Sequence, residues 1–266
     1  MKKKKILASI IVANYNNAVF LKDCLKSLIN QNFNSYEIIV VDDKSTDNSI
    51  KILDKFKNKI SLVQKKKKKS KYGSYNQINS YYEGFLKSKG KYIFFLDSDD
   101  MYKMNKLKNH VSIFEKNKKE EIIFDLPILK FKNKLIRQNF KQNIFFTSSW
   151  PRFSPQSCIS VRRRYAIELF ANLNVKRFDK IWFDFRIASY TFLKFKKIFI
   201  LRDYLTYYRQ HKSSESQKFK TFNKNWWLRR GQAHNFIKHL SNKKKFKKNI
   251  SLDKIITQFI NYLIYD

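Results

Sequence analysis

The stretch "KYIFFLDSDD", Lys91–Asp100, places three carboxylates within four residues, directly after an apolar run. A continuous apolar run of this length is typical of a strand that is buried on both faces. In open α/β sheets, ligands bind beyond the carboxyl ends of the strands. The stretch therefore predicts a buried strand that ends at a binding site rich in negative charge.

Predicted strands and helices alternate along the chain before and after this stretch. Apolar runs predict three earlier strands, at 6–13, 36–43 and 60–64. The spacing of apolar residues predicts helices at 19–29, about 50–56, 74–88 and 103–117. Ser45 or Thr46 is expected to cap the second helix, and Asp47 to be a charge at a helix start. Four such alternations predict an α/β fold with a doubly wound, mostly parallel sheet flanked by helices.

The pattern changes after residue 118. Strands are predicted at 121–125, 157–163 and 197–211, with an antiparallel excursion around 132–134. Helices are predicted at 164–170, 180–195, 222–240 and 252–264. The run Lys65–Lys69 is the one low-complexity segment, and a solvated loop is expected there.

The composition describes a basic chain with enough apolar residues for a sizeable core. Lys and Arg number 57 against 21 Asp and Glu, for a formal net charge of +36, and 43% of the residues are hydrophobic. This apolar content excludes a disordered basic tail, and the charge attracts polyanions such as nucleic acid, anionic lipid or phosphorylated substrates. Because Lys, Asn, Ile and Phe are all favoured by A/T-rich codons, the charge total alone is weak evidence of function.

Several features bear on the compartment. Cys24 and Cys158 lie far apart without a CxxC spacing, which favours free thiols in a reducing compartment. The basic start and the apolar run 6–13 resemble a secretory signal, but the run ends in "NYNN" without a small-residue cleavage pattern, which favours a strand. No stretch reaches the roughly 18 apolar residues of a membrane span. We expect a cytoplasmic protein, with association at the inner face of a membrane left open.

Polar and acidic side chains end three of the predicted strands, at 13–16, 42–47 and 97–100. Hard divalent cations prefer carboxylate oxygens, and they bind through one or two carboxylates together with substrate phosphates. The D-x-D spacing of Asp97 and Asp99 projects two side chains to one side of an extended turn. One can hold a metal ion and the other a ribose hydroxyl, so the pattern predicts a metal-bound nucleoside diphosphate.

"SIIVANYNNAVFLKDCLKSLINQNFNSYEIIVVDDKSTDNS", followed by "SKGKYIFFLDSDDMYKMNKL", resembles the family 2 glycosyltransferases of the GT-A fold over residues 6–118. The resemblance implies a nucleotide-sugar donor, with UDP as the expected nucleotide, a Mn²⁺ or Mg²⁺ ion, and inversion at the anomeric carbon. It also implies a glycan or lipid-linked acceptor, as in polysaccharide synthesis for a cell envelope. We expect one GT-A domain over 1–215, with a nucleotide-binding half (1–118) and an acceptor and catalytic half (119–215), and a helical extension over 216–266.

The resemblance assigns roles to individual residues of the first half. Ala13 ends the first nucleotide-binding strand, and Tyr15 matches the aromatic residue that lies against the base. Asp43 matches the carboxylate that accepts the base's ring N–H, and Asp42 beside it shapes the turn. Asp97 matches the acid on the ribose side and is also a metal ligand, while Asp99 matches the principal metal ligand. Many members carry an Arg-Asn pair in the helix before the fourth strand, where this chain has Gln77 and Asn79. Contact with the diphosphate is then expected from Lys71 or from its neighbours in the basic loop.

The second half must supply a base that deprotonates the acceptor hydroxyl. The family's Glu-Asp pair is missing, which leaves Asp184 and Asp179 as candidates. On a helical wheel Asp184 shares an apolar stripe with Ile181 and Ala188, where desolvation would raise its pKa toward that of a working base, whereas Asp179 could simply cap the helix. "YYRQH" resembles the late family segment whose His, here His211, ligates the metal. The basic and aromatic "WWLRRGQAH", 226–234, could line the acceptor side, pack, or rest on an anionic membrane surface.

Other classes of protein remain as alternatives. A nucleic-acid-binding protein would have no use for three acids at a strand end, because without a metal ion they repel phosphate. Nucleotidyltransferases of related fold show a Gly-rich loop after the first strand, and this chain has no Gly before Gly73. A catalytically inactive GT-A domain that acts as a scaffold is the third alternative.

Overall fold

The first strand, β1 (Ala8–Asn14), is buried along its whole length. Ile10 and Val12 pack into the core on one face of the sheet, and Ile11 and Ala13 into the core on the other face. Successive side chains of a strand point to opposite faces. Because helices cover both faces, apolar residues are continuous here instead of alternating with polar ones.

The computed structural model describes residues 5–66, 70–139, 151–212, 214, 218–244 and 251–265. After β1, the strands are β2 (Tyr36–Asp42), β3 (Ser61–Gln64), β4 (Tyr92–Asp97), β5 (Met101–Tyr102), β6 (Ile122–Lys130), β7 (Leu135–Arg137), β8 (Ile159–Arg162) and β9 (Ile200–Arg209). The α-helices are α1 (Ala18–Ile29), α2 (Ser49–Asp54), α3 (Gly73–Lys87), α4 (Lys106–Lys116), α5 (Arg163–Leu173), α6 (Phe183–Phe195), α7 (Lys224–Lys244) and α8 (Leu252–Tyr265).

Within these residues the strands form a nine-stranded sheet of order β3-β2-β1-β4-β8-β6-β9-β5, with β7 paired to β6. β1 pairs in parallel with β2 and β4, β2 with β3, and β6 with β9. β8 runs antiparallel between β4 and β6. The predicted α/β fold, a doubly wound and mostly parallel sheet flanked by helices, is confirmed, and the predicted antiparallel excursion is the β6–β7 hairpin.

Helix α3 lies close to the sheet because of a glycine. A Cβ atom added at Gly84 would lie 2.3 Å from Cγ2 of Ile11 and 3.1 Å from Cγ2 of Val41. Neither β-branched side chain has an easy alternative rotamer. Gly84 therefore sets the distance between α3 and strands β1 and β2, and with it the position of the α3 side chains at the sheet's edge.

The start of α2 differs from the prediction. Ser45 and Thr46 do not cap this helix, since they hydrogen-bond to the Asn14 and Asn16 side chains instead. The carboxylate of Asp47 accepts the Ser49 amide and also the Ala18 amide at the first residue of α1, each at 2.9 Å. These bonds hold its pKa below the usual value although burial alone would raise it. The prediction that Asp47 is a charge at a helix start is confirmed.

The two C-terminal helices pack against each other and onto the rest of the chain. Ala233, Phe236 and Leu240 of α7 belong to the same core as residues of α3, α5 and α6. The predicted boundary between 215 and 216 stays a prediction. No helix in the described part of the chain is long and apolar enough to cross a membrane. Cys24 and Cys158 are both buried free thiols, as predicted.

A charged network lies between helix α4 of the first half and the strands of the second half. Lys106 Nζ is 2.5 Å from Asp125 Oδ2, and both side chains are fully buried. Lys106 also donates to Thr206 Oγ1 and to the Ser157 carbonyl oxygen. Burial raises the pKa of Asp125, but Lys106 and His110 outweigh this effect and hold that pKa below its usual value. The network joins α4, β6 and β9 to the segment that carries Ser157.

We predict that Lys106→Met lowers the free energy of unfolding by about 3–5 kcal/mol, because it leaves the Asp125 carboxylate buried and without its cation. Chemical denaturation measures the change. The double substitution Lys106→Met/Asp125→Leu should recover at least half of the loss. The matched control is Lys91→Met, whose exposed pair with Glu115 contributes at most about 1 kcal/mol. Equal effects at Lys106 and Lys91 would contradict a special role for the buried pair.

Candidate active site

The strand register brings three groups of candidate residues to one edge of the sheet. Ala13 of β1 pairs with Asp97 of β4, and Asn14 pairs with Asp42 of β2. These parallel strands therefore end at the same level. The side chains that follow them lie side by side, as the sequence predicts for a ligand site.

Asp42 organises the turn after β2. It accepts hydrogen bonds from Asn14 Nδ2 at 2.7 Å, from the Ser45 amide at 2.9 Å and from Ser45 Oγ at 2.6 Å. Asp43, the next residue, is buried and lies 2.7 Å from Lys65 Nζ. Lys65 is also buried, so the expectation of a solvated loop is wrong for this residue, while Lys67–Lys69 lie outside the described residues.

Two further residues that the sequence predicts to bind the nucleotide, Tyr15 and Lys71, lie at the surface. Tyr15 directly follows β1 and is 43% exposed, which leaves room for a base to approach its ring. Lys71 is exposed just before α3, with its ammonium 5.4 Å from the centre of the Tyr72 ring. Among the described residues, no hydrogen bond or ion pair joins Lys71 to the acids that end β4. Its proposed contact with a diphosphate thus stays a prediction.

Three carboxylates come together after β4. Oxygen atoms of Asp97, Asp99 and Asp100 all lie within 4.8 Å of one another. Like charges at this distance raise each other's pKa unless a cation lies between them. The donor set is all oxygen, which suits Mn²⁺ or Mg²⁺.

Asp97 is held by three amide and hydroxyl donors. Gln77 Nε2 and Gln156 Nε2 each lie 2.6 Å from Oδ1, and the Tyr81 hydroxyl donates to the same oxygen at 2.8 Å. Gln77 and Tyr81 are four residues apart on α3, so they share one face of the helix. Burial, followed by the charge of Asp99, raises the pKa of Asp97 to about 7. Gln77 and Asn79 stand where many family members carry the Arg-Asn pair. Gln77 holds the Asp97 carboxylate in place, whereas Asn79 is buried and donates to the Tyr75 carbonyl oxygen.

Asp100 is fully buried beneath the other two acids. Its carboxylate accepts the Ser157 hydroxyl at 2.5 Å and the Arg209 amide at 2.8 Å. Burial and the neighbouring charges of Asp99 and Asp97 raise its pKa well above the usual range. Asp100 thus ties β4 to β9 and to the short 3₁₀ turn at Gln156–Cys158.

His211 lies at the acidic cluster, as the sequence predicts. Its Nε2 atom is 2.9 Å from Asp99 Oδ2. The imidazole packs against the Phe20 ring, with 4.5 Å between ring centres, and the Arg209 guanidinium lies over the same ring. Helix α1 therefore sets the orientation of the imidazole, whose Nε2 atom faces Asp99 Oδ2.

The two candidate bases lie in different surroundings. Asp184 is in the first turn of α6. Its carboxylate accepts the backbone amide of Gln156, whose side chain donates to Asp97, so Gln156 connects Asp184 to the acidic cluster. Burial raises the pKa of Asp184 to about 6, against the opposing effect of the Phe185 amide and of Arg229. Asp179 instead accepts a hydrogen bond from Gln232 of α7. It does not cap α6, since that helix begins at Phe183, and the alternative of a capping role is wrong.

Several residues of the site could not be predicted from the sequence. Gln156 and Ser157 lie on the turn before β8, about 60 positions from the acids that they contact, and "PQSC" has no recognisable pattern. Lys65 belongs to a run of identical residues, and nothing distinguishes it from its neighbours. Only the spacing of Gln77 and Tyr81, one helical turn apart on a helix that leads to β4, was an available signal.

The α/β fold places a candidate ligand site at this acidic edge, and the comparisons with known proteins show the family of the chain. The family model described as "Glycosyl transferase family 2" matches residues 9–170. This match spans more than half of the chain, which therefore belongs to the family 2 glycosyltransferases. The resemblance seen in residues 6–118 is confirmed.

One curated relative and two solved structures are similar over most of the chain. An uncharacterized glycosyltransferase of Nostoc sp. is 31% identical over 214 residues, which cover 76% of this chain and 64% of that protein. The chain thus spans less than two thirds of that relative's length. The crystal structure of S. aureus TarS 1–349 in complex with UDP-GlcNAc matches with a TM-score of 0.61 at 18% identity, over 96% of this chain and 70% of that one.

The second structure is the mannosyltransferase of Pyrobaculum calidifontis in complex with GDP-Man and Mn²⁺. It matches with a TM-score of 0.55 at 15% identity, over 97% of this chain and 70% of that chain. At these identities the two likenesses show the fold alone. They confirm the predicted GT-A fold.

We predict that this edge binds Mn²⁺ and that binding weakens as the pH falls through about 7. Protons on Asp97 compete with the cation, so the affinity is greater above this pH than below it. His211→Ala should weaken binding by about tenfold or more, because an imidazole partner of the site is lost. Isothermal titration with MnCl₂ in the presence of UDP, at pH 6.0 and pH 7.5, measures both effects.

His239→Ala is the matched control. His239 lies on α7, where it hydrogen-bonds to Arg177, and its removal should leave the Mn²⁺ affinity unchanged. If His211→Ala binds Mn²⁺ as tightly as the wild type at both pH values, His211 does not belong to the metal site.

Proposed function

We propose that this chain is an inverting glycosyltransferase that transfers a sugar from a UDP-linked donor to a hydroxyl group of a glycan or lipid-linked acceptor, with Mn²⁺ or Mg²⁺. The observation that carries the proposal is the convergence of Asp97, Asp99 and Asp100 at the end of β4, with His211 against them and Asp184 beside them. The bound UDP-GlcNAc of TarS and the bound GDP-Man and Mn²⁺ of the Pyrobaculum enzyme support a nucleotide-sugar donor and a metal ion in the same fold.

The residues present fit a divalent metal ion. Three carboxylates share a small space, and burial together with mutual repulsion raises the pKa of Asp97 and of Asp100. A divalent cation bound between these carboxylates would remove that repulsion. Asp99 and His211, which lie 2.9 Å apart, would hold the ion, and Asp97 would complete the set. Bound there, the ion would neutralise negative charge on the departing diphosphate.

The first three strands would bind the nucleotide. Tyr15 offers an exposed ring on which a base can stack. Oδ1 of Asp43 faces the buried Lys65 ammonium, so Oδ2 is the oxygen that would accept the ring N–H of a uracil base. Asp42 already accepts bonds from Asn14 and Ser45. Its role is to hold the turn in place rather than to bind the donor.

Asp184 is the residue that we propose as the general base. Its pKa of about 6 leaves the carboxylate ionised at neutral pH, yet basic enough to take a proton as the acceptor hydroxyl attacks. Asp184 accepts the backbone amide of Gln156, whose side chain donates to Asp97, while Asp179 accepts a hydrogen bond from Gln232 of α7. Inversion then follows from a single displacement, in which the acceptor approaches opposite the diphosphate.

We predict that Asp184→Asn lowers kcat by roughly 10²–10⁴ while the KM for the donor changes little, because a general base acts in the transition state. In the wild type, kcat should fall as the pH drops through about 6, since the base is then protonated. The asparagine variant should lack this acidic limb. Initial rates between pH 5 and 8.5 with donor and Mn²⁺ saturating measure these effects.

Asp179→Asn is the matched control, with the same change of charge at the other candidate acid. Near-normal turnover is expected for it. The assignment is reversed if Asp179→Asn shows the loss and Asp184→Asn is active. A product that keeps the donor's anomeric configuration would contradict a single displacement altogether.

The activity itself is tested by release of free nucleoside diphosphate from a panel of UDP- and GDP-sugars. We expect release with UDP-sugars that requires Mn²⁺ or Mg²⁺ and stops with EDTA. Asp99→Ala should abolish it and should weaken donor binding only when the metal is present. Donor binding without turnover over the whole panel, with acceptor glycans supplied, would indicate an inactive scaffold. Release of pyrophosphate from a nucleoside triphosphate would indicate a nucleotidyltransferase.

A further inference from the structure

The last helix, α8, carries a stripe of large apolar side chains that face solvent. The exposed fractions are 69% for Leu252, 54% for Ile255, 50% for Ile256, 63% for Phe259, 67% for Tyr262 and 58% for Leu263. Their spacing of three or four residues places them on one face of the helix. Scattered apolar residues at a surface are ordinary, but a continuous row over the whole helix indicates a surface that is covered by something else.

The opposite face of α8 fixes how the stripe is presented. Asp253 accepts a hydrogen bond from Arg230 at 2.6 Å and lies 3.2 Å from His234 Nε2, both on α7. Asn261 donates to the Trp227 carbonyl oxygen at 3.0 Å, and Thr257 between them is fully buried. These bonds prevent α8 from rotating its apolar stripe inward. The stripe therefore faces away from α7.

The positive charge of the C-terminal segment indicates what kind of surface covers the stripe. Residues 218–265 contain twelve Lys and Arg and a single acid, Asp253, which is already paired with Arg230. Lys218, Lys220, Lys224, Lys243 and Lys244 are all exposed. A second copy of a chain with a net charge of +36 would be repelled. An anionic lipid surface satisfies the cations and the apolar stripe together, since each basic residue near it contributes to binding.

The side-chain pattern of α8 also favours a helix that lies on a membrane, because its apolar residues share one face. A short amphipathic helix with Leu, Ile and Phe on one face buries that face at the boundary between head groups and acyl chains. The half-buried Trp226 and Trp227 pack against each other at the start of α7, so the contact is made by α8 rather than by "WWLRRGQAH".

We propose that the Leu252–Leu263 face of α8, with the lysines of α7 and of the segment before it, docks this protein onto an anionic membrane surface. The contact does not depend on the donor or on the metal ion. It would hold the acidic edge of the sheet near lipid-linked molecules.

Vesicle sedimentation tests the proposal. The wild type should sediment with vesicles of phosphatidylcholine and phosphatidylglycerol at 7:3, and bind about tenfold or more weakly to pure phosphatidylcholine vesicles or in 0.5 M NaCl. Ile256→Asp/Phe259→Asp should lose about tenfold or more of the binding. The uncharged variant Leu252→Ser/Leu263→Ser should lose a similar share, which separates lost apolar area from added charge.

Leu86→Asp/Ile167→Asp is the matched control, because both residues are exposed on other helices. It should bind vesicles as the wild type does. Nucleoside diphosphate release by all of these variants should be unchanged, so a failure of docking and a failure of the proposed activity are distinguishable. No sedimentation of the wild type, or undiminished binding by both α8 variants, overturns the proposal. So does a wild-type dimer in sedimentation velocity that Ile256→Asp/Phe259→Asp abolishes, since a second copy would then cover the face.

Discussion

Mutual repulsion among Asp97, Asp99 and Asp100 is the constraint on which the arrangement of this protein depends. Three carboxylates lie within 4.8 Å of one another at the end of a buried strand, where water cannot screen them well. Neutral donors from two separate elements surround them: Gln77 and Tyr81 from α3, and Gln156 and Ser157 from the turn before β8. These bonds hold the oxygens in place, but none of them supplies a full positive charge. The cluster therefore keeps its affinity for a cation.

The second half of the chain supplies side chains that contact the buried side of the acidic cluster. Ser157 connects the two charged centres of the molecule, because its hydroxyl donates to Asp100 and its carbonyl oxygen accepts from Lys106. Lys106 in turn neutralises Asp125 in the interior. A buried ion pair adds little net stability over an apolar pair. Its position behind the turn indicates instead that it orients the turn, and with it the acids that the turn contacts.

The charges of the protein are segregated by function. Asp97, Asp99 and Asp100 gather at one edge of the sheet, while the charged residues of α7 and α8 are all basic except Asp253. α7 bridges these regions, since its core residues pack with α6 and its outer face holds α8. A net charge of +36 thus coexists with a negative site, because three acids are concentrated at the end of one strand.

The sequence by itself determined the α/β class, the order of strands and helices, and the edge of the sheet at which the candidate site lies. These follow from local patterns, since burial on both faces requires continuous apolar runs and parallel strands end at one edge. It also placed Asp99 and His211 in one site, through the family resemblance, and favoured Asp184 over Asp179 through the period of a helix. Only the tertiary structure decided which neutral side chains hold the acids. Gln156, Ser157 and Lys65 meet their partners across distant strands, and such contacts depend on the packing of α3 and β8, which leaves no periodic trace along the chain. The same reason explains Ser45 and Thr46, which were expected to cap α2 but bond to Asn14 and Asn16, because the end of β1 lies closer to them than the helix does.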